Sequence, residues 1–364
     1  MIQTRKITNE PMVVFGIAVI FFLLILFILY PIFSVLRLSL TPEGRFSFDV
    51  YRDLFRHPRY FGSIGNSVML GAIVATLATA IGFMFAFATA RAAIPGRRFF
   101  QTMAILPIIS PPFMFALSVI LLFGRNGLIT AGLLNLDVRS IYGLRGLVLV
   151  QTVNLFPLAY LTLSGILRGI DPDLETCAMN LGASRGKAFR TVTLPLAAPG
   201  ILAAWMVVFV SSMTDFGNPI MIGGDFNVLS VQAYLEFTGM GNLPRGAALA
   251  ILLLVPTVAV YFVQKNVLGR GSYATITGKS SRRSGAQAGP ITKRVLLLAC
   301  SAVTLLVFMF YGTIIFGSFV KLWGLDWSFT LEHFAYSWDV GSTTMQKTVL
   351  LALIGTPLTA ILGT

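Results

Sequence analysis

The feature that most constrains this chain is a series of long apolar runs free of charge, of which 12–33 and 295–319 are clear examples. A helix that crosses the hydrocarbon of a bilayer needs about twenty such residues. Its own hydrogen bonds must satisfy every peptide group there, since no water is available. Runs this long define a helical membrane protein. They exclude an outer-membrane barrel, whose strands are short and alternate in polarity. Composition agrees, with 56% hydrophobic and 11% charged residues, too few charges to cover a soluble domain of this size. The expected class is all-α and polytopic, with the lipid bilayer as a partner.

Eight segments qualify as spans: 11–36, 66–90, 101–123, 144–167, 196–215, 245–265, 293–320, and 345 to the end. Arg5 and Lys6 ahead of the first run imitate a signal peptide. The run is too long for one and has no small-residue cleavage site before Pro31, so it reads as a retained span. Pro107, Pro111, Pro112 and Pro157 interrupt the helical pattern. Such breaks are tolerated where neighbouring protein or a cavity satisfies the freed backbone groups. Pro107 and Pro111 are therefore candidates for a translocation path, with kinked packing as the alternative.

The net charge of +13 has no basic domain to carry it, which argues against a nucleic-acid partner. The charges instead sort by side of the membrane. With the N-terminus in the cytoplasm, sixteen of the 27 Lys and Arg fall in inner segments, among them Arg91, Arg97, Arg98, Arg168 and Arg185, as the positive-inside rule requires. Cys177 and Cys300 are too few and too far apart for a disulfide framework or metal site. With His57 and His333 as the only imidazoles, neither a metal centre nor a Ser/His/Asp constellation is expected. Gly278-Lys279-Ser280 imitates the end of a phosphate-binding loop, but Tyr273 stands where that motif needs glycine. No cofactor is expected, and the sequence offers no other candidate for such a loop.

The chain also repeats. A shift of 281 positions places Phe27 on Phe308, Tyr30 on Tyr311, Ser47-Phe48 on Ser328-Phe329 and Gly82 on Gly363, without a gap and through a polar loop. This reads as a parallel duplication. Residues 1–268 form a first copy of about six spans, 269–292 a cytoplasmic linker, and 293–364 the start of a second copy with about two. Thr364 maps onto Phe83, inside a span, so the second copy is expected to be truncated by roughly 190 residues.

One inner loop, 171–195, has a structure of its own. Asp171 can cap a helix, Pro172 suits its first turn, and Asp173 and Glu175 suit its positive end. Leu174, Cys177, Ala178 and Leu181 then fall on one face, Gly182 can end the helix in a left-handed turn, and Ser184 can cap the next. An apolar stripe with little chain to pack against either lies in the lipid headgroups or docks in a groove of a cytoplasmic partner.

These residues resemble the permeases of binding-protein-dependent ABC importers, which share a loop of the pattern E-A-A, three residues, Gly, nine residues, I-x-L-P. Here Thr176-Cys177-Ala178 stands for E-A-A, followed by Gly182, Ala183 and Val192-Thr193-Leu194-Pro195 at the family spacing. The motif glutamate has become Thr176, with Glu175 adjacent. The resemblance implies a type I importer permease fold in a bacterial inner membrane. It also implies a loop that docks on two copies of a cytoplasmic ABC ATPase subunit, and a periplasmic substrate-binding protein as the other partner. Asp215-Phe216-Gly217-Asn218-Pro219 and Gln232-Ala233-Tyr234 are similar to the fused ferric-iron group, while related permeases carry phosphonates, thiamine, polyamines or sulfate. Asp215 and Asn218 join the path candidates. For Asp215 the alternative is a helix-end carboxylate in the aqueous interface. The competing class is an ion-gradient-driven transporter, but such proteins place ionisable residues mid-membrane, and here the charges lie at span ends.

Overall fold

Each apolar run forms a helix, and several helices continue beyond their run into polar sequence. The computed structural model describes residues 11–42, 44–111, 113–133, 141–268 and 289–363. In chain order the helices begin with α1 (Val13–Leu40), α2 (Asp49–Arg56), α3 (Pro58–Ala90), α4 (Arg97–Ile105) and α5 (Met114–Phe123). They continue with α6 (Leu144–Gly169), α7 (Asp173–Asn180), α8 (Arg185–Thr214), α9 (Gly217–Ile222) and α10 (Leu229–Thr238). Last come α11 (Leu243–Leu268), α12 (Pro290–Ser318) and α13 (Glu332–Gly363), with a small antiparallel hairpin, β1 (Val320–Leu322) and β2 (Asp326–Phe329), between α12 and α13.

Seven of these helices are long and apolar enough to cross a bilayer. The eighth expected span, 101–123, is bent: α4 runs into a 3-10 turn at Leu106–Ile109 and meets the direction of α5 at 100°. Its crossing follows from its neighbours. The ends of α3 and α6 meet, where Arg91 Nη1 donates to the Ile170 carbonyl (3.1 Å). Their starts both meet the segment after α9, through Asn66 Nδ2 to the Asn227 carbonyl and Gly143 N to the Ile222 carbonyl, each 2.9 Å. Two parallel spans require the chain between them to return across the membrane, and α4–α5 is that return.

Pro107 is buried in the 3-10 turn. There the Ser110 N–H bonds to the Pro107 carbonyl and so does not make the α-helical bond to the Leu106 carbonyl. The Tyr311 hydroxyl from α12 donates to it (2.9 Å) and also bonds the Ser110 hydroxyl, the neighbouring-protein solution that a break in a membrane helix requires. Pro112 lies outside the described residues.

The centre of the molecule is α3 packed on α6 and α8, with Val74, Ala78, Phe85, Phe156, Tyr160 and Val208 buried between them. Lipid is as apolar as leucine, so close backbone approach drives such contacts more than the hydrophobic effect does. Gly82 marks the closest one: a β-carbon there would sit 2.7 Å from both Ala159 Cβ and the Tyr160 backbone nitrogen. Ala78 and Ala86 flank it at four-residue spacing on the same buried face.

Two expected boundaries are corrected. The last helix begins at Glu332, not 345, and the second span begins at Pro58, not 66. Hydropathy marks only the lipid-compatible part of a helix, whereas polar residues at its ends remain helical. Between α2 and α3, His57 is extended (φ −84°, ψ 115°), since Pro58 disfavours helical geometry at the residue before it. The repeat register puts Trp338 and Asp339 there in the second copy. With no proline at that point, α13 runs through unbroken.

Candidate functional site

The loop 171–195 folds as a helix–turn–helix where the ends of α3 and α6 meet. Asp171 Oδ1 accepts the Asp173 N–H (2.9 Å) and starts α7. At the other end the Ala183 N–H reaches the Ala178 carbonyl (3.0 Å) and the Gly182 N–H the Met179 carbonyl (2.9 Å). With Gly182 at φ +89°, this is a Schellman closure, which satisfies two carbonyls the helix end leaves open. Ser184 Oγ then accepts the Lys187 N–H and caps α8. Pro195 cannot donate to the Thr191 carbonyl, and the preceding turn, Phe189–Thr193, widens to π geometry, with the Leu194 N–H on the Phe189 carbonyl.

Among the described residues the stripe has little to pack against. Leu181 is 89% exposed, Leu174 45%, and Cys177 is exposed, while Ala178 and Ala183 are half-buried. Thr176 is exposed, and its hydroxyl bonds back to the Pro172 carbonyl (3.3 Å). The adjacent Glu175 points the other way. Its carboxylate pairs with Arg91 Nη2 at 3.2 Å, the two side chains only 12% and 11% exposed, and accepts the Thr193 hydroxyl. One side chain therefore ties α7 to the end of α3 and the first turns of α8. Sequence reading singled out neither Arg91 nor Thr193: Arg91 looks like any positive charge after a span, and only the folded loop brings Glu175 to it.

At the opposite ends of the spans a second polar cluster forms. Asp215, just past α8, accepts Gln151 Nε2 (2.9 Å) and Asn218 Nδ2 (2.7 Å) on Oδ2, and the Asn218 N–H (3.2 Å) on Oδ1. Its own carbonyl accepts the Ser230 hydroxyl (2.8 Å), and Ser212 donates to Gln151 Oε1 (2.5 Å). Gln151 and Asn218 are fully buried. Asp215 stands at the end of α8, half-buried, and pins α9 against α6 because its carboxylate also takes both the backbone N–H and the side-chain NH2 of Asn218, three residues on. Pro107 and Pro111 sit in the α4–α5 break instead, Pro107 buried and Pro111 exposed, so the four path candidates do not form one cluster. Asp215→Asn would turn an NH2 group toward donors that now meet an oxygen. We expect a loss of about 1–3 kcal/mol, read as a lower melting temperature of the purified protein, and an unchanged melt would remove this network from the account.

The helical bundle is the fold of ABC importer membrane components. The crystal structure of a bacterial ABC transporter that imports the acidic polysaccharide alginate aligns with a TM-score of 0.63 at 16% identity, covering 74% of this chain and 99% of that one. The family of binding-protein-dependent transport system inner membrane components matches residues 78–270, over half of the sequence, and the chain belongs to it. Relatives include the ferric transport system permease protein FbpB of Actinobacillus pleuropneumoniae (28% identity) and the putative ferric transport system permease protein FbpB 1 of Haemophilus influenzae (27%), each matching 99% of this chain. The trehalose transport system permease protein SugB of Mycobacterium tuberculosis is 31% identical over 72% of this chain and 97% of its own length. The chain spans 54% and 59% of the length of the two ferric relatives.

Proposed function

We propose that this chain is permease sequence of an ATP-driven importer for ferric iron, with its N-terminus in the cytoplasm of a bacterium. A separate cytoplasmic ABC ATPase subunit, in two copies, hydrolyses the ATP, and a periplasmic binding protein delivers the cargo. The observation that carries the reading is the stripe of Leu174, Cys177 and Leu181, exposed to one side of a helix whose other side is fixed by Glu175. A rigid, unpartnered apolar face suits a groove in another protein. Coupling is then a population shift: ATP binding favours one state of the permease through contacts that differ between states. The cargo rests on the two ferric relatives. A tandem arrangement, with 1–268 and 293–364 as repeats about the linker 269–292, rests on the 281-residue register and predicts a second loop of the same pattern further on in the full gene product. The linker itself, with Gly278-Lys279-Ser280, lies almost wholly outside the described residues.

Gly182→Leu tests the docking role. Open space surrounds its β-position, so the change acts through the backbone alone. Left-handed geometry costs a leucine about 1–2 kcal/mol, which reduces the correctly placed loop roughly five- to thirtyfold. Iron uptake in cells carrying the complete transporter should fall accordingly, with normal levels of protein in the membrane. Undiminished uptake overturns the coupling role, and uptake driven by an ion gradient without any ATPase subunit overturns the importer reading.

A further inference from the structure

Behind the docking loop lies a cavity of about 390 Å³ that the transport reading does not use. Its walls come from four elements: the last turns of α3, the inner face of α7, the start of α8, and the first turns of α12. The lining is mostly apolar. Phe83, Phe87 and Phe189 form an aromatic trio with ring centroids 5.2–6.3 Å apart, and Met84, Met179 and Leu296 extend the wall. Three lining residues are charged: Arg91, Glu175 and Arg185. Arg91 and Glu175 pair at the base, with Arg91 Nε left without a partner among the described residues. Arg185 is exposed at the rim, its guanidinium beside Gly289 across the opening.

An apolar slot with a cation at its mouth matches an amphiphile with an anionic head. Its depth fits the same ligand. The lining residues of α3 and α12 lie within two turns of the helix ends, where acyl chains meet headgroups. Basic pockets between spans on the cytoplasmic side are a recurrent home for anionic lipid heads. We propose that this cavity binds one anionic phospholipid of the adjoining leaflet, its phosphate at Arg185 and its acyl chain against Phe83, Phe87 and Phe189. The assignment to the inner leaflet rests on the orientation given above; binding itself does not. Because α7 and α12 share the cavity, an occupant would brace the docking helix against the first helix of the second repeat.

The test uses the purified, delipidated chain in detergent, titrated with dioleoyl-phosphatidylglycerol or dioleoyl-phosphatidylcholine and followed by native mass spectrometry. One phosphatidylglycerol should bind roughly fivefold more tightly than phosphatidylcholine, the preference expected of one basic side chain. Gly186→Trp should remove that first adduct, since Gly186 lines the cavity and has open space at its β-position. Arg185→Gln should abolish the preference while leaving phosphatidylcholine binding in place. A melting temperature within a degree or so of the parent, a change no larger than ordinary surface substitutions give, certifies each variant as folded, and if Gly186→Trp melts early, Arg185→Gln decides. Equal binding of the two lipids by the parent overturns the proposal. So does a first adduct that survives both substitutions. Competition by glycerophosphate as effective as by the whole lipid would reassign the site to a free anion and overturn it equally.

Discussion

Replacing Gly82 with leucine is expected to abolish accumulation of folded protein. The β-carbon alone would lie 2.7 Å from Ala159 Cβ and 2.7 Å from the Tyr160 backbone nitrogen. Neither obstacle is a flexible side-chain end, so relief means moving α6 away from α3. Overpacking of this kind costs about 1–3 kcal/mol for small insertions, and three further carbons after the β-carbon exceed that range. The helices concerned form the buried centre on which α8 also packs. The measurement is the monodisperse fraction on size-exclusion chromatography after membrane extraction. Gly165→Ala, on α6 with nothing within 4 Å of its β-position, is the control and should match or exceed the parent, because alanine favours a helix by about 1 kcal/mol over glycine. A Gly82→Leu protein that elutes and melts like the parent would show that α3 and α6 do not pack as described.

How far the sequence could lead depends on the range of the signal. The spans were legible because hydrophobic length is local: seven of the eight segments fall on one long helix each, and 101–123 falls on the bent pair α4 and α5. The geometry of the loop 171–195 was legible in detail for the same reason. Asp171, Gly182 and Ser184 act on backbone groups two to five residues away, and each appears where spacing put it. Contacts between distant segments were not legible. Nothing near Arg91 signals that it meets Glu175, 84 positions on, and nothing near Gln151 signals Asp215, 64 positions on. Tyr311 was noted only as the repeat partner of Tyr30. Its task of satisfying Leu106 across 205 positions follows from the path of α12 over α4 and α5.

Glu175→Ala is expected to damage the loop 171–195 more than any change at Thr176, although Thr176 occupies the family's glutamate position. Removing the Glu175 carboxylate leaves Arg91 charged and largely enclosed, its Nε already without a partner. Breaking one side of a buried pair costs roughly 3–5 kcal/mol, and the slight exposure of both groups puts this pair at the lower end. Thr193 loses its acceptor as well. Arg91→Ala should cost about as much, and the double substitution less than the sum of the two, since neither charge is then stranded. Thr176 is exposed and its hydroxyl bonds back to the Pro172 carbonyl, so Thr176→Ala should change stability by no more than about 0.5 kcal/mol. Uptake separates the roles further. With the anchor gone, α7 keeps its Schellman turn but loses its tie to α3, so transport should fall even at temperatures where the protein stays folded. Melting temperature and uptake, measured on the Glu175, Arg91 and double variants, give the complete cycle. Additive losses, or a Thr176→Ala variant as impaired as Glu175→Ala, would mean that the loop is held by something other than this pair.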